Sequence, residues 1–225
     1  MTSGARRRET RRRLLGAALL ALLGARAGRV RAQASAQPNA PTGAPAGAFD
    51  LAALMALLAR HKSGRARFTE ERFVSGFDAP LHSSGLLGFT APDRFTRETL
   101  EPRPESMEVS GRLLTLRRGG RTRQLTLDAA PELTALVEAM RGTLAGDAAL
   151  LRRHFELRLA GNAALWTLAL EPRDAQLAGQ VRSVQLAGQG GELRSVELLL
   201  AGGDRSLMLI DPLPPAGGAA PRSGR

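Results

Sequence analysis

The side chains able to move protons or attack an electrophile are few here, and they are scattered. The three histidines, His61, His82 and His154, fall in three separate elements. The nearest thing to a nucleophile–base couple is His82 beside Ser83 and Ser84. Adjacent residues on an extended strand point to opposite sides, so His82 is badly placed to activate Ser83. Glu70 and Glu71 fail as an acid/base pair for the same reason and read as a solvated strand end. No HExxH, GxSxG, CxxC, P-loop or GxGxxG pattern occurs. The chain has no cysteine, which excludes disulfides, thiolate metal sites and thiol nucleophiles. A serine hydrolase is disfavoured, and no catalytic residue or metal site is expected.

The formal net charge of +11 invites a nucleic-acid reading. Much of it lies at the amino terminus. Residues 1–34 hold nine arginines and one glutamate, leaving 23 basic and 20 acidic residues behind them. A body that close to neutral lacks a broad footprint for phosphates. The locally basic stretch "TLRRGGRTRQL", Thr115 to Leu125, carries Arg117, Arg118, Arg121 and Arg123 without an aromatic residue for stacking a base. It reads as a hairpin whose charged tip blunts a sheet edge, with a docking surface for an acidic partner or anionic head group as the alternative.

The order of the amino terminus is that of a secretory signal peptide: arginines at 6–8 and 11–13, the apolar run Leu14 to Ala25, then small residues at Ala32, Ala34 and Ala36. The apolar run is shorter than the ~20 residues of a membrane-spanning helix. "TRRRLL", Thr10 to Leu15, also fits a twin-arginine route. The expected organisation is a signal peptide over 1–34, a disordered Pro/Gly/Ala linker over 35–48, one domain over 49–211 and a disordered tail over 212–225. Export by the Sec or twin-arginine route is expected to place the product outside the cytoplasm, as a monomer without stable membrane insertion.

The elements that must position any site follow from periodicity. Leu51, Leu54, Leu58 and His61 recur at helical spacing behind Asp50, with Gly64 as a stop. Leu133, Leu136, Val137, Met140 and Leu144 form an apolar stripe after Pro131, and a second helix follows from Asp147 to Arg153. Nearly everything else alternates with period two between glycine turns: roughly ten antiparallel strands, enough to curl into a half-open barrel or strongly bent sheet. "VRSVQLAG" and "LRSVELLLAG", at 181–188 and 193–202, read as the two arms of a hairpin. Phe68 and Phe73 are five apart, so a bulge near Glu70–Glu71 is expected to bring them to one face. In "LHSSGLLGFTAPDRF", Leu81 to Phe95, the histidine and serines read as a bend relieved by Gly85, before a strand carrying Leu87 and Phe89 that ends at Pro92. With no tyrosine, one tryptophan and seven phenylalanines, the interior is aliphatic. A concave interior of this kind suits acyl chains, at about 0.8 kcal/mol per buried CH₂. An ordinary filled core satisfies the same pattern.

The order of these parts, and above all S-G-x-L-x-F-x-x-P-x-x-F from Ser84 to Phe95, resembles the LolA-like periplasmic outer-membrane lipoprotein carriers across roughly Phe49 to Asp211. The resemblance implies an α+β fold: a half-open antiparallel barrel, covered by a lid of amphipathic helices, whose cavity shields the acyl chains of a lipoprotein between an inner-membrane exporter and an outer-membrane receptor. It also implies a non-enzyme that uses no cofactor. On that basis Phe68, Phe73, Leu87, Phe89, Phe95, Leu114, Leu116, Trp166 and Leu168 are expected to line the cavity, and Leu133, Leu136, Val137 and Met140 to pack the lid. Typical carriers hold a lid-tying arginine before the proline and a tryptophan shortly after it. Here those positions are Ala91 and Arg97. The departures leave two alternatives: a carrier of another acylated lipid, of glycolipid or acyl-polyene type, serving an RND-type exporter, or a lipoprotein-sensing module on the same fold.

Overall fold

The computed structural model describes residues 49–127 and 131–214, without the side chains of 131–136. The expected signal peptide and linker, and the tail from residue 215 onward, lie outside the described residues. Eleven strands form one antiparallel sheet: β1 (Ser63–Phe73), β2 (Leu81–Thr90), β3 (Arg94–Glu101), β4 (Glu105–Ser110), β5 (Leu113–Arg118), β6 (Arg121–Thr126), β7 (Phe155–Asn162), β8 (Leu165–Pro172), β9 (Val181–Gln189), β10 (Glu192–Leu200) and β11 (Arg205–Leu213). The spatial order is β6-β5-β4-β3-β2-β1-β11-β10-β9-β8-β7. The chain therefore starts in the middle, steps outward to one edge, crosses to the opposite edge, and steps back until β11 pairs with β1. β6 and β7 remain edges, so the sheet is curved but not closed into a barrel.

The crossing from β6 to β7 carries helices α2 (Pro131–Ala145) and α3 (Ala148–His154). Helix α1 (Leu51–Leu58) precedes β1, and a short α4 (Ala175–Ala178), which the periodicity did not reveal, joins β8 to β9. Two aspartates start helices as expected. Asp50 Oδ1 accepts from Ala53 N at 2.8 Å, and Asp147 Oδ1 accepts from Leu150 N at 3.0 Å, each cap being worth about 1 kcal/mol. The β5–β6 turn needs two left-handed residues, which Gly119 (φ 54°) and Gly120 (φ 73°) supply.

The core is split in two. Leu54, Met55 and Leu58 of α1 pack with Leu151, Phe155, Trp166, Leu168, Leu170, Val184 and Leu186 over the β7–β10 half. Trp166 is fully buried, donates from Nε1 to Gly190 O at 2.9 Å, and lies across Gly188, where a Cβ would meet the ring at 2.3 Å. Val137 of α2 packs with Val109, Leu114 and Leu127 over the other half. Val137 of α2 thus roofs the β4–β6 side, while α1, Leu151 of α3 and Ala139 of α2 pack over the other.

Five expectations need correction. Helix α1 ends at Leu58 rather than running to His61, and Gly64 is the second residue of β1, not a stop. No bulge interrupts β1. Its pairing with β2 and β11 runs in register from Phe68 to Arg72, so Phe68 is buried on one face and Phe73 is 40% exposed on the other. The irregularity sits one strand pair away, between β2 and β3, where Ser84 pairs Glu101 and Gly85 pairs Thr99. Residues 81–85 are not a bend but the first half of β2. Gly85 faces inward, where a Cβ would lie 1.9 Å from Glu98 O and 2.9 Å from the Phe68 ring. Glu70 is not a solvated strand end, being only 5% exposed. Finally, β11 runs to Leu213, two residues past the expected boundary. Beyond Leu209 it pairs only with β1, so Pro212 removes no donor from the β10 side.

Candidate ligand cavity and its polar floor

Strand register brings the inward residues of β2–β5 into rows. Phe89, Phe95, Val109 and Leu114 are successive cross-strand partners in one row, and Leu87, Arg97, Met107 and Leu116 in the next. Helix α2 lies over the first row. The space between is a cavity of about 40 Å³, lined by Phe89, Phe95, Met107 and Val109 from below and Val137, Met140 and Leu144 from above. That is room for a few waters, at about 10–15 Å³ each by the same measure, and far short of an acyl chain. Admitting a hydrocarbon chain therefore requires α2 to move away from the sheet.

Arg141, on the same helix, ties it down. Its Nη2 donates to Gly111 O in the β4–β5 turn and to Asp93 O in the β2–β3 turn, the latter at 3.4 Å. The sequence has no arginine at 91, before Pro92, but an arginine on the helix reaches back to the strand turns instead.

Beyond the cavity the inner face becomes polar. Glu70 sits on β1 two residues from Phe68, on the same face. Its Oε1 accepts from Ser206 Oγ at 2.6 Å, and its Oε2 accepts from Arg97 Nη2 at 2.6 Å and Ser83 Oγ at 2.9 Å. Arg72 Nη2 lies 3.4 Å from Oε1. Burial pushes the Glu70 carboxyl up. Arg97, the Ser206 hydroxyl and Arg72 more than offset it and hold the pKa at about 2. The Arg97 guanidinium also lies over the Phe68 ring, Cζ 4.6 Å from its centroid.

The expected lining residues divide accordingly. Phe89 and Phe95 line the cavity, Leu114 and Leu116 pack beside it in the cluster that holds Val137, and Leu87 stands next to Arg97. Phe68 is buried beneath Arg97. Trp166 and Leu168 belong to the other core cluster, and Phe73 faces outward. Of the lid residues, Val137 and Met140 face the cavity, while the side chains of Leu133 and Leu136 lie outside the described residues. Leu144 falls on the expected apolar stripe of α2, whereas Met107, Val109, Arg141 and the Glu70 cluster were not foreseen. The alternation of "ESMEVS" signalled Met107 and Val109, whereas the others depend on register and packing. His82 and Ser83 do fall on opposite faces, Ser83 towards Glu70 and His82 towards Glu71 at 3.8 Å. Among the described residues no cluster of His, Asp or Glu could hold a metal ion, and no helix is long and apolar enough to cross a membrane.

The profile of a protein family described as "outer membrane lipoprotein carrier protein LolA-like" matches residues 43–220. The chain belongs to this family. Several solved structures of low identity are similar to this LolA-like chain over most of its length. A LolA superfamily protein from Nitrosomonas europaea is 12% identical, with 72% of this chain and 89% of that one covered and a TM-score of 0.39. A putative outer membrane lipoprotein-sorting protein domain from Vibrio parahaemolyticus is 9% identical, with 74% and 92% covered and a TM-score of 0.40. MucB in its Pseudomonas aeruginosa complex with MucA is 19% identical, with 77% and 59% covered and a TM-score of 0.32. No curated protein sequence gives a significant match.

Proposed function

We propose that this LolA-like protein is a non-enzymatic periplasmic carrier that shields the hydrocarbon chains of an acylated molecule and delivers it toward the outer membrane. The observation that carries this reading is the helix-roofed apolar cavity between Phe89, Phe95, Met107 and Val109 on the sheet and Val137, Met140 and Leu144 on α2. An open sheet edge and a roof carried on one long connection let the cavity grow without unfolding the sheet. Aliphatic contacts supply affinity with little directional information, which suits a carrier that must release its cargo. An inner-membrane exporter would load the protein and an outer-membrane receptor would empty it.

The discriminating experiment is native mass spectrometry of the protein purified from its own periplasm. A bound acyl species released on denaturation is the expected result. An empty protein with a stoichiometric protein partner would replace the carrier by a sensor, and turnover of a lipid ester would overturn both readings.

A further inference from the structure

The floor between the two apolar clusters carries more positive than negative charge. Arg72 and Arg97 face Glu70, and Ser83 and Ser206 are the hydroxyls that complete its shell. Glu105, in the adjacent row on this face, is paired with Arg118 at 3.6 Å. One carboxylate against two guanidinium groups leaves the Glu70 cluster one positive charge in surplus. The Glu70 oxygens are saturated, since a carboxylate has about four lone-pair sites and four side chains already donate to them. The carboxylate therefore orients the arginines and has no capacity left for a ligand. Each arginine, by contrast, reaches Glu70 through Nη2 alone, so Nε and Nη1 of both are not committed to it. Both side chains are partly accessible, Arg97 to 18% and Arg72 to 26%.

The position of this surplus relative to the cavity is what gives it meaning. Arg97 is two residues along β3 from Phe95, the cavity wall, and its guanidinium folds away from the cavity to lie over Phe68. Along β2, the cavity wall at Phe89 and the Glu70 partner at Ser83 on the same inner face are six residue steps, roughly 20 Å, apart. We propose that Arg97 and Arg72 seat the anionic head group, carboxylate or phosphate, of an amphiphile whose hydrocarbon chain runs past Leu87 and Phe95 into the cavity under α2. This rests on the carrier reading and narrows its cargo to amphiphiles with a negative group next to the chain. Guanidinium groups held in place by a buried carboxylate present their remaining N–H donors as a fixed fork, the geometry that suits carboxylate and phosphate.

The test compares palmitate, palmitoyl lysophosphatidic acid, monopalmitoylglycerol and inorganic phosphate by displacement of a fluorescent fatty acid and by calorimetry. Both anionic amphiphiles are expected to bind about tenfold or more tighter than monopalmitoylglycerol. Arg72→Gln and Arg97→Gln should each erase most of that advantage, changing the affinity of monopalmitoylglycerol far less than that of the anionic amphiphiles, and Arg97→Lys should restore part of it. Arg72→Gln serves if Arg97→Gln unfolds, because Arg72 is the more distant partner of Glu70. Equal affinity for all three palmitoyl ligands would leave the carrier intact and overturn the head-group site. Inorganic phosphate alone binding as tightly as the lysophosphatidic acid would overturn it in favour of a free-phosphate site. Failure of every palmitoyl ligand to bind would overturn the carrier reading and this one with it.

Discussion

Arg97 on β3 places its Nη2 2.6 Å from Oε2 of Glu70 on β1, a pair 27 residues apart in sequence that meets on the inner face of the sheet. Such a pair is poor in net stability but costly to break on one side only, since the abandoned charge stays buried. Glu70→Leu alone should therefore lower unfolding free energy by about 3–5 kcal/mol. Glu70→Leu combined with Arg97→Met should recover much of that loss. Urea unfolding of the single and double variants measures the coupling, and strictly additive effects would show that the pair does not act as a unit.

The same carboxylate sets an acid limb. Its pKa is lowered from 4.5 to about 2 in the folded protein. The group is thus ionised in both states above about 4.5, where its contribution is fully present. As pH falls below that, the unfolded chain takes up the proton first, and the contribution disappears as pH passes through the folded value near 2. The amount at stake is on the order of 3 kcal/mol. The stability gap between the native protein and Glu70→Gln should be constant from about pH 7 to 5 and narrow steadily towards pH 2. A gap that stays flat to the acid end would show that Glu70 is not held ionised by its neighbours.

The sequence was most legible where local rules decide. The two aspartate caps, the glycine hairpins, the apolar stripe of α2 and the paired arms β9 and β10 follow from spacing alone. The meander was legible as well, although a count of about ten strands does not say which edge each half occupies. What stayed hidden depends on register. Nothing near Glu70 in the sequence announces Ser206, Ser83 or Arg97, because each arrives on a different strand. Strict alternation without a bulge puts Phe73 on the outer face and Glu70 beside Phe68 on the inner one. Arg97 was visible as a departure from the carrier pattern, but its partner was not. Trp166 looked like cavity lining because alternation cannot tell which of two helices covers a given stretch of strand.

That last ambiguity yields a direct comparison. Trp166 packs with α1 on the β7–β10 half and donates to Gly190 O, whereas Phe95 lines the cavity under α2. Trp166→Phe removes a hydrogen bond and leaves a void, and should cost about 1–3 kcal/mol in stability with fatty-acid affinity unchanged. Phe95→Ala should cost about 3–5 kcal/mol and also shift affinity for a bound chain several-fold, because it alters the surface the chain touches. Paired thermal unfolding and fatty-acid titration separate the two, and a Trp166→Phe variant that loses binding while remaining folded would extend the cavity across both halves.

Arg141 supplies the prediction that bears most directly on how the cavity opens. The closed volume of about 40 Å³ is too small for a chain, so binding has to include a step in which α2 lifts. The Arg141 side chain is what joins that helix to the turns at Asp93 and Gly111. The clasp is incomplete, however, because its Nε is buried without a hydrogen-bond partner among the described residues. An unsatisfied buried donor costs about 1–3 kcal/mol, comparable to what one charged hydrogen bond returns. The latch therefore holds the closed state only weakly. Arg141→Met keeps most of the apolar stem but removes both the clasp and the unsatisfied donor. It should change global stability by less than about 1 kcal/mol while raising the association rate of a fluorescent fatty acid several-fold, since the helix no longer waits for its latch to open. Stopped-flow association against ligand concentration reads this directly. A ligand-independent plateau in the native protein that rises in Arg141→Met marks lid opening as the limiting step, and an unchanged plateau would show that another contact holds the helix down.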